Sequence, residues 1–322
     1  MFGGETPYNN HESNSGVAAV EYNLATPNNR WAGKVFYQHN FRVDSSYKLP
    51  IAQGAEITYK RRKFSIEWLH QYVNRDFNPM TGFIPRKDFF RLNPNTQFHF
   101  YHKNGLIAEH GPGIEINKIF QRDVGVTDDD YEIFYNLKFK NNQALQLKYD
   151  QQDFFLFEPF DPLGLNGLTF PDSLYYFTNA FSIDYRSDPR KKFNFHVKTK
   201  IGDYFDGHLY EIKTDLNFRF QPYGSFTLES DITKIDLNSP FEDGLLYLIS
   251  PRIDLTFTKE LFFTTFIQYN SQIDNLNINS KLQWRFAPVS DFFIVYTENF
   301  YPDELNTKGR SIVAKLTYWL NL

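Results

Sequence analysis

The chain has no cysteine, which excludes disulfides, thiolate metal sites and cysteine nucleophiles and leaves the redox compartment undetermined. No apolar run approaches the about 18–20 residues of a membrane-spanning helix. Helical periodicity, low-complexity segments and domain linkers are missing as well. Neither sign of charge dominates. The 34 basic and 38 acidic residues are interspersed and give a net charge of −4, so no tail or patch points to nucleic acid. There is no phosphate-cradling glycine loop, no HExxH and no nucleophile elbow. The eight histidines (His11, His39, His70, His99, His102, His110, His196 and His208) keep no recurring spacing with a serine or carboxylate. Asp128, Asp129 and Asp130, with Glu132, read as a solvated acidic loop, because the glycine and ligand spacing of a calcium loop is missing. The expectation is therefore a protein that is not an enzyme, with no catalytic centre, cofactor or metal site. The opening residues, MFGGETPYNNHESNSG, hold no signal-peptide core.

What the chain does have is rings and alternation. Aromatic content is 19%, with 35 Phe and 21 Tyr. In Leu209–Gln221, Tyr210, Ile212, Thr214, Leu216, Phe218 and Phe220 fall on one parity. Glu211, Lys213, Asp215, Asn217, Arg219 and Gln221 fall on the other. Side chains alternate across a strand, so this is one apolar and one polar face. Strands of soluble proteins usually run about 5–6 residues, whereas a tilted bilayer-spanning strand needs about 9–11. The mean hydropathy of −0.51 does not oppose this, since only half of each such strand would meet lipid.

The same rule recurs from Gly16 to the end of the chain and predicts about seventeen strands joined by hairpin-like connections. Eight connections read as short (TPNN, KRRK, HKNG, KNNQ, DPRK, QPYG, TKE and APVS). Those between them read as generally longer, notably Asn74–Pro94 and Glu158–Ser173. Short turns at one end and longer loops at the other are the habit of outer-membrane barrels. The predicted fold is all-β: an antiparallel up-and-down transmembrane β-barrel of about 16–18 strands, or a large C-terminal part of one. It is expected as a single domain over residues 1–322, with 1–15 an external loop or truncated start, in the outer membrane of a Gram-negative cell. If the last strand ends at the short-turn side, alternation starts the first strand at the opposite side. At least one strand before Gly16 is then expected to be missing.

Gly82–Pro94 (GFIPRKDFFRLNP), Ser187–Phe195 (SDPRKKFNF) and above all Ile267–Asn299 (IQYNSQIDNLNINSKLQWRFAPVSDFFIVYTEN) carry a family likeness. They resemble the C-terminal outer-membrane β-barrel domain, a domain of unknown function, of Bacteroidota-type proteins that carry an N-terminal family-9-like carbohydrate-binding module. The likeness covers most of the chain after about residue 15. It implies a porin-like or anchoring barrel linked to glycans, although the sugar-binding module is not in this sequence.

On the polar parity, Glu211, Lys213, Asp215, Arg219, Glu229, Asp231, Arg252, Asp254, Lys281 and Arg285 are the candidates to line an interior, many of them paired across the sheet. Phe218, Leu255 and Leu282 are expected to face lipid. In the apolar loop EPFDPLGLNGLTFPDS, Phe160, Leu163, Leu165, Leu168 and Phe170 are candidates for an external protein contact. Trp31, Trp68, Trp284 and Trp319 read as membrane-interface residues more than as sugar platforms. Expected partners are outer-membrane lipid, glycans, and either a protein partner or further N-terminal strands that complete the barrel. Two functions stay open: passage or capture of carbohydrate-related material, and a non-conducting scaffold that anchors a surface module or partner protein.

Overall fold

The structure, a computed structural model, describes residues 15–42, 50–79, 84–165 and 167–320. It contains eighteen strands and, among the described residues, no helix. In chain order they are β1 (Ser15–Ala25), β2 (Trp31–Arg42), β3 (Ile51–Lys60), β4 (Phe64–Val73), β5 (Phe89–Phe98), β6 (Phe100–Tyr101), β7 (Ile107–Gln121), β8 (Gly125–Phe139) and β9 (Ala144–Leu156). There follow β10 (Leu174–Arg186), β11 (Phe193–Tyr204), β12 (Gly207–Arg219), β13 (Gly224–Asp236), β14 (Gly244–Thr256), β15 (Leu261–Asn270), β16 (Asn275–Ala287), β17 (Ser290–Tyr301) and β18 (Asn306–Thr317). They form one antiparallel up-and-down sheet, consistent with a barrel-like fold. The sheet is not closed: among the described residues β1 pairs with β2 and β18 with β17. Of residues 1–15, read from sequence as an external loop or truncated start, Ser15 opens β1 and 1–14 lie outside the described residues.

Several boundaries differ from the sequence expectation. Asp128–Asp130 belong to β8 and not to a loop. β5 begins at Phe89, inside the expected long loop, and carries Pro94 within it. The last strand starts at Asn306 and ends at Thr317. At Asp128–Asp130 and at Pro94 alternation continues past turn-like residues, which take strand positions on both faces. The loop-length asymmetry is correspondingly weaker. Residues 43–50, 74–88, 157–173 and 237–243 are long connections, but 122–124 and 205–206 are tight turns.

The chain divides into two compact units, Met1–Phe98 with Ile114–Tyr131, and His99–Gly113 with Glu132–Leu322. In the first unit, Trp31, Val35, Tyr37, Ile66, Trp68 and Phe98 share an exposed apolar face. The opposite face carries Lys34, Gln38, Glu67 and Arg91, and the buried cluster lies on it. Phe77, from the 74–88 connection, packs on Ala52, Val73 and Phe89, with Ile84 and Ile119 alongside. A long loop therefore folds back over the polar face.

In the second unit the register runs without a shift from β9 to β16. Bulges occur at Arg285/Ala287 and at Asn299/Phe300. Unbroken register keeps every strand's apolar parity on one side, because a one-residue slip would reverse it. The apolar side is uncovered: Phe181, Ile201, Phe218, Leu282, Trp284 and Leu316 are all exposed. Rings gather toward both ends of the strands. At the short-turn end lie the pairs Tyr185–Phe195 (5.7 Å) and Trp284–Phe286 (5.6 Å). At the other end lie Phe155–Tyr175 (5.1 Å) and Tyr247–Tyr269 (5.5 Å). Ile212, Thr214, Ser230, Ile249, Ile267 and Ser280 fill the band between.

Gly113 is required by close packing, since a Cβ there would overlap the ring of buried Phe134. Gly113→Val is expected to destabilise the fold by about 1–3 kcal/mol through overpacking. Gly16→Val, where a Cβ meets open space, should change little. Denaturant unfolding in detergent measures both.

Candidate functional site

The polar face of β9–β18 is where the sequence-predicted residues meet. By register, Glu211, Lys213, Asp215, Arg219, Glu229, Asp231, Arg252, Asp254, Lys281 and Arg285 all lie on one face. Phe218, Leu255 and Leu282 lie on the other. Lys213 bridges Glu211 (2.8 Å) and Asp231 (2.9 Å). Arg252 pairs with Asp254 (2.9 Å), which also accepts from the Thr264 hydroxyl (2.8 Å). Arg285 approaches Asp291 at 3.5 Å. Three candidates are placed differently. Arg219 donates to the Pro189 and Lys191 carbonyls and so holds the 187–192 turn. Glu229 stands opposite Asp215 and Ser250, and Lys281 opposite Thr264 and Val295.

Parity alone could have found two further members. His196 lies between Asp184 (3.0 Å) and Asp215 (2.9 Å). Lys148 lies between Glu132 (2.9 Å) and Asp150 (2.8 Å). Lys213 and Lys148 thus each bridge a carboxylate of their own strand and one of a neighbouring strand. The His196 ring bonds to carboxylates of both neighbouring strands, and the whole arrangement stiffens the wall. No group of three or more His, Asp or Glu converges on a metal position among the described residues. Asp128, Asp129 and Asp130 illustrate why. As consecutive strand residues they alternate between faces and bond separately to Arg86, Lys118 and Asn117.

On the apolar side of β9–β18, charge among the described residues occurs only toward the loop-side strand ends, at Asp153, Asp203, Lys234, Asp236 and the pair Glu298–Arg310. Glu298 is 3% exposed. It accepts from the Tyr296 and Thr307 hydroxyls and from Arg310 (2.5 Å), so its charge is fully partnered.

Two loops close over the polar-face ends. In the second unit the 157–173 loop wraps around Phe170, which is 4% exposed. Phe170 stacks on Phe241 (4.0 Å) and Phe205 (4.5 Å), while Phe160 stacks on Phe205 (5.2 Å). Phe205 sits at φ 53°, a left-handed backbone rarely taken by a bulky residue and held here by this ring packing. The Asp161 carboxylate accepts from the amides of Leu163, Gly164 and Gly167 at 2.9–3.0 Å. Gln272 Nε2 donates to the Leu163 carbonyl at 2.8 Å. Of the five residues singled out in the sequence, Phe170 and Leu163 are buried within the chain and Phe160 stacks on it. Leu165 and Leu168 remain exposed beside a cavity of about 260 Å³.

In the first unit the 74–88 loop is pinned by Arg75 to Asp88 (2.8 Å) and Asp123, and by Arg86 to Asp128 (2.7 Å). It encloses a cavity of about 410 Å³ lined by Phe36, Gln38, Gln71, Phe77 and Arg91 among others. The sequence showed this loop's length and prolines, but not that Phe77 turns inward.

Removing Phe170 should free the 157–173 loop, at about 3–5 kcal/mol for a buried ring. Limited proteolysis of Phe170→Ala is expected to cut near Leu165–Leu168 where the parent chain resists. At the short turn, Asp188 is held at about 2 by side-chain and backbone hydrogen bonds from Arg190. This depressed value means that the turn's contribution is complete above the ordinary carboxylate value of 3.8 and is lost as pH falls through about 2. Carboxyl NMR titration should show Asp188 moving back toward 3.8 in Arg190→Ala.

No curated protein matches the chain. A domain of unknown function, DUF5916, matches residues 6–241. The match contains Gly82–Pro94 and Ser187–Phe195, and ends before Ile267–Asn299. It spans well over half of the chain, and the protein belongs to the DUF5916 family.

Proposed function

We propose that this chain is an outer-membrane β-barrel of a Gram-negative cell, without enzymatic activity, that serves passage or capture of carbohydrate-related material. One observation carries the membrane part: an uncovered apolar sheet face, charged only toward its loop-side strand ends and flanked by rings, backs a densely polar one. Each large apolar side chain left in water forfeits about 1.5–3 kcal/mol that burial would supply. Contiguous apolar patches beyond a few hundred Å² on soluble monomers are rare and mark interaction surfaces. Lipid is the partner that matches an apolar band between two aromatic belts. The polar face then lines an aqueous interior. The glycan link is supported by the likeness to barrels of Bacteroidota-type proteins that carry a family-9-like carbohydrate-binding module.

A specific observation favours the second reading, a non-conducting scaffold for a surface module or partner protein. The paired charges and the inward-packed loops around Phe77 and Phe170 narrow the space available on the polar side. Reconstitution in a planar bilayer separates the two. Steady conductance supports passage, and silence with a stoichiometric co-purifying protein supports the scaffold. The membrane reading has its own test: Ile249→Arg, in the apolar band between the rings, should lower folding stability in vesicles by about 2–4 kcal/mol. Asp254→Asn, on the polar face, should cost far less. Equal costs for the two would contradict the assignment of faces.

A further inference from the structure

The polar face of the second unit is not uniform. From β9 to β13 it is a lattice of Lys, His, Asp and Glu, but on the loop-side half of β14–β17 the charges stop. Three successive rows cross that region. Asn270 pairs with Asn275. Gln268 pairs with Asn277, which pairs with Asn299. Phe266 pairs with Asn279, which pairs with Thr297. Ser250 lies beside Gln268 (3.3 Å). On β14 the third row ends in Arg252, opposite Phe266 and paired with Asp254 at 2.9 Å, and Lys281 lies one row further down, opposite Thr264.

The amides also order one another. Asn277 Nδ2 donates to Asn299 Oδ1 at 2.9 Å, Asn275 Nδ2 to the same oxygen at 3.2 Å, and Asn279 Nδ2 to Thr297 Oγ1 at 2.8 Å. Each carboxamide has two N–H donors and an oxygen with two lone pairs. The bonds above therefore fix its orientation without exhausting its capacity. All of these side chains are half-buried, as is the Phe266 ring.

We propose that this amide-rich patch, centred on Gln268, Asn277, Asn279 and Asn299 with the Phe266 ring, binds an uncharged oligosaccharide. The proposal rests on the reading that this face lines an aqueous interior and names the substrate class for that face. A sugar hydroxyl both donates and accepts, and so does a carboxamide, so a row of fixed amides offers matched partners without desolvating an ion. The C–H face of a pyranose is apolar and fits an aromatic ring, the combination of an apolar surface and a few placed polar groups found in small-molecule sites. The charge bordering these rows, Arg252, is already paired with Asp254, so an anionic glycan would have to displace that carboxylate to gain a counter-charge. A peptide pairing through its backbone needs a sheet edge, whereas β15 and β16 are paired on both sides.

Calorimetric titration of the full chain in detergent is the test, with three probes of similar length: a neutral glucose hexasaccharide, a hexagalacturonate and an uncharged hexapeptide. The expected result is saturable binding of the neutral hexasaccharide alone. Asn277→Asp keeps the side chain's shape, and Asn299 can turn its amide to donate to the new carboxylate. This variant and Phe266→Ala should each weaken binding by at least about tenfold, as loss of one or two hydrogen bonds or a stacking contact would. Lys213→Gln, on the charged wall, should leave it unchanged. Preference for the peptide or the galacturonate, no binding of the neutral sugar, or undiminished binding in both patch variants would overturn the proposal. Bilayer conductance is read separately. Binding without current would defeat passage and keep the patch, and current without binding would do the reverse.

Discussion

Everything described here depends on one constraint: in a strand, neighbouring side chains must leave on opposite sides while every backbone amide looks sideways for a partner. Ten consecutive strands from β9 to β18 pair antiparallel, with no shift of register until Arg285/Ala287. Alternation in the sequence is thereby converted into two chemically distinct surfaces. Phe218 and Lys213 are close in sequence and end up on opposite sides of the sheet, with Lys213 between two carboxylates. In hydrocarbon such pairing is obligatory, because an unpaired amide has no water to turn to. On the membrane reading proposed above, the same medium would account for the treatment of Glu298. Its partners are Tyr296, Thr307 and Arg310, and it lies near the loop-side end of β17, where a charge on an apolar face costs least.

Much of this was legible in the residues. Period two placed β3, β4 and β15 at their observed limits, and it assigned ten polar-face residues to one side. It failed where a residue with loop habits sits in a strand. Asp128–Asp130 look like a solvated turn, yet Asp128 and Asp130 are polar-face positions of β8 whose charges meet Arg86 and Asn117. Pro94 looks like a break, yet β5 continues through it, opposite Trp68. Loop conformation was not legible at all. Phe77 and Phe170 carry no periodic signal, and their inward packing depends on side chains far along the chain, such as Phe89 and Phe241.

The two polar regions of the second unit place different demands on a solute. The groups around Lys148, His196 and Lys213 bond to one another and stiffen the wall. The amide rows of β15–β17 keep their dipoles available and hold no ion that must be desolvated. In the same unit the Phe170 loop is set by ring stacking.

The central claim is that the two faces of this sheet meet two different solvents. Because the chain has no native cysteine, single cysteines can be introduced without background at Phe218, Leu255 and Leu282, and at Lys213, Asp254 and Arg285. Each would be probed in vesicles with a lipid-restricted and a water-borne thiol reagent. The account predicts that the first three react only with the lipid-restricted reagent and the second three only with the aqueous one. Mixed labelling within either set, or aqueous labelling of all six, would contradict it.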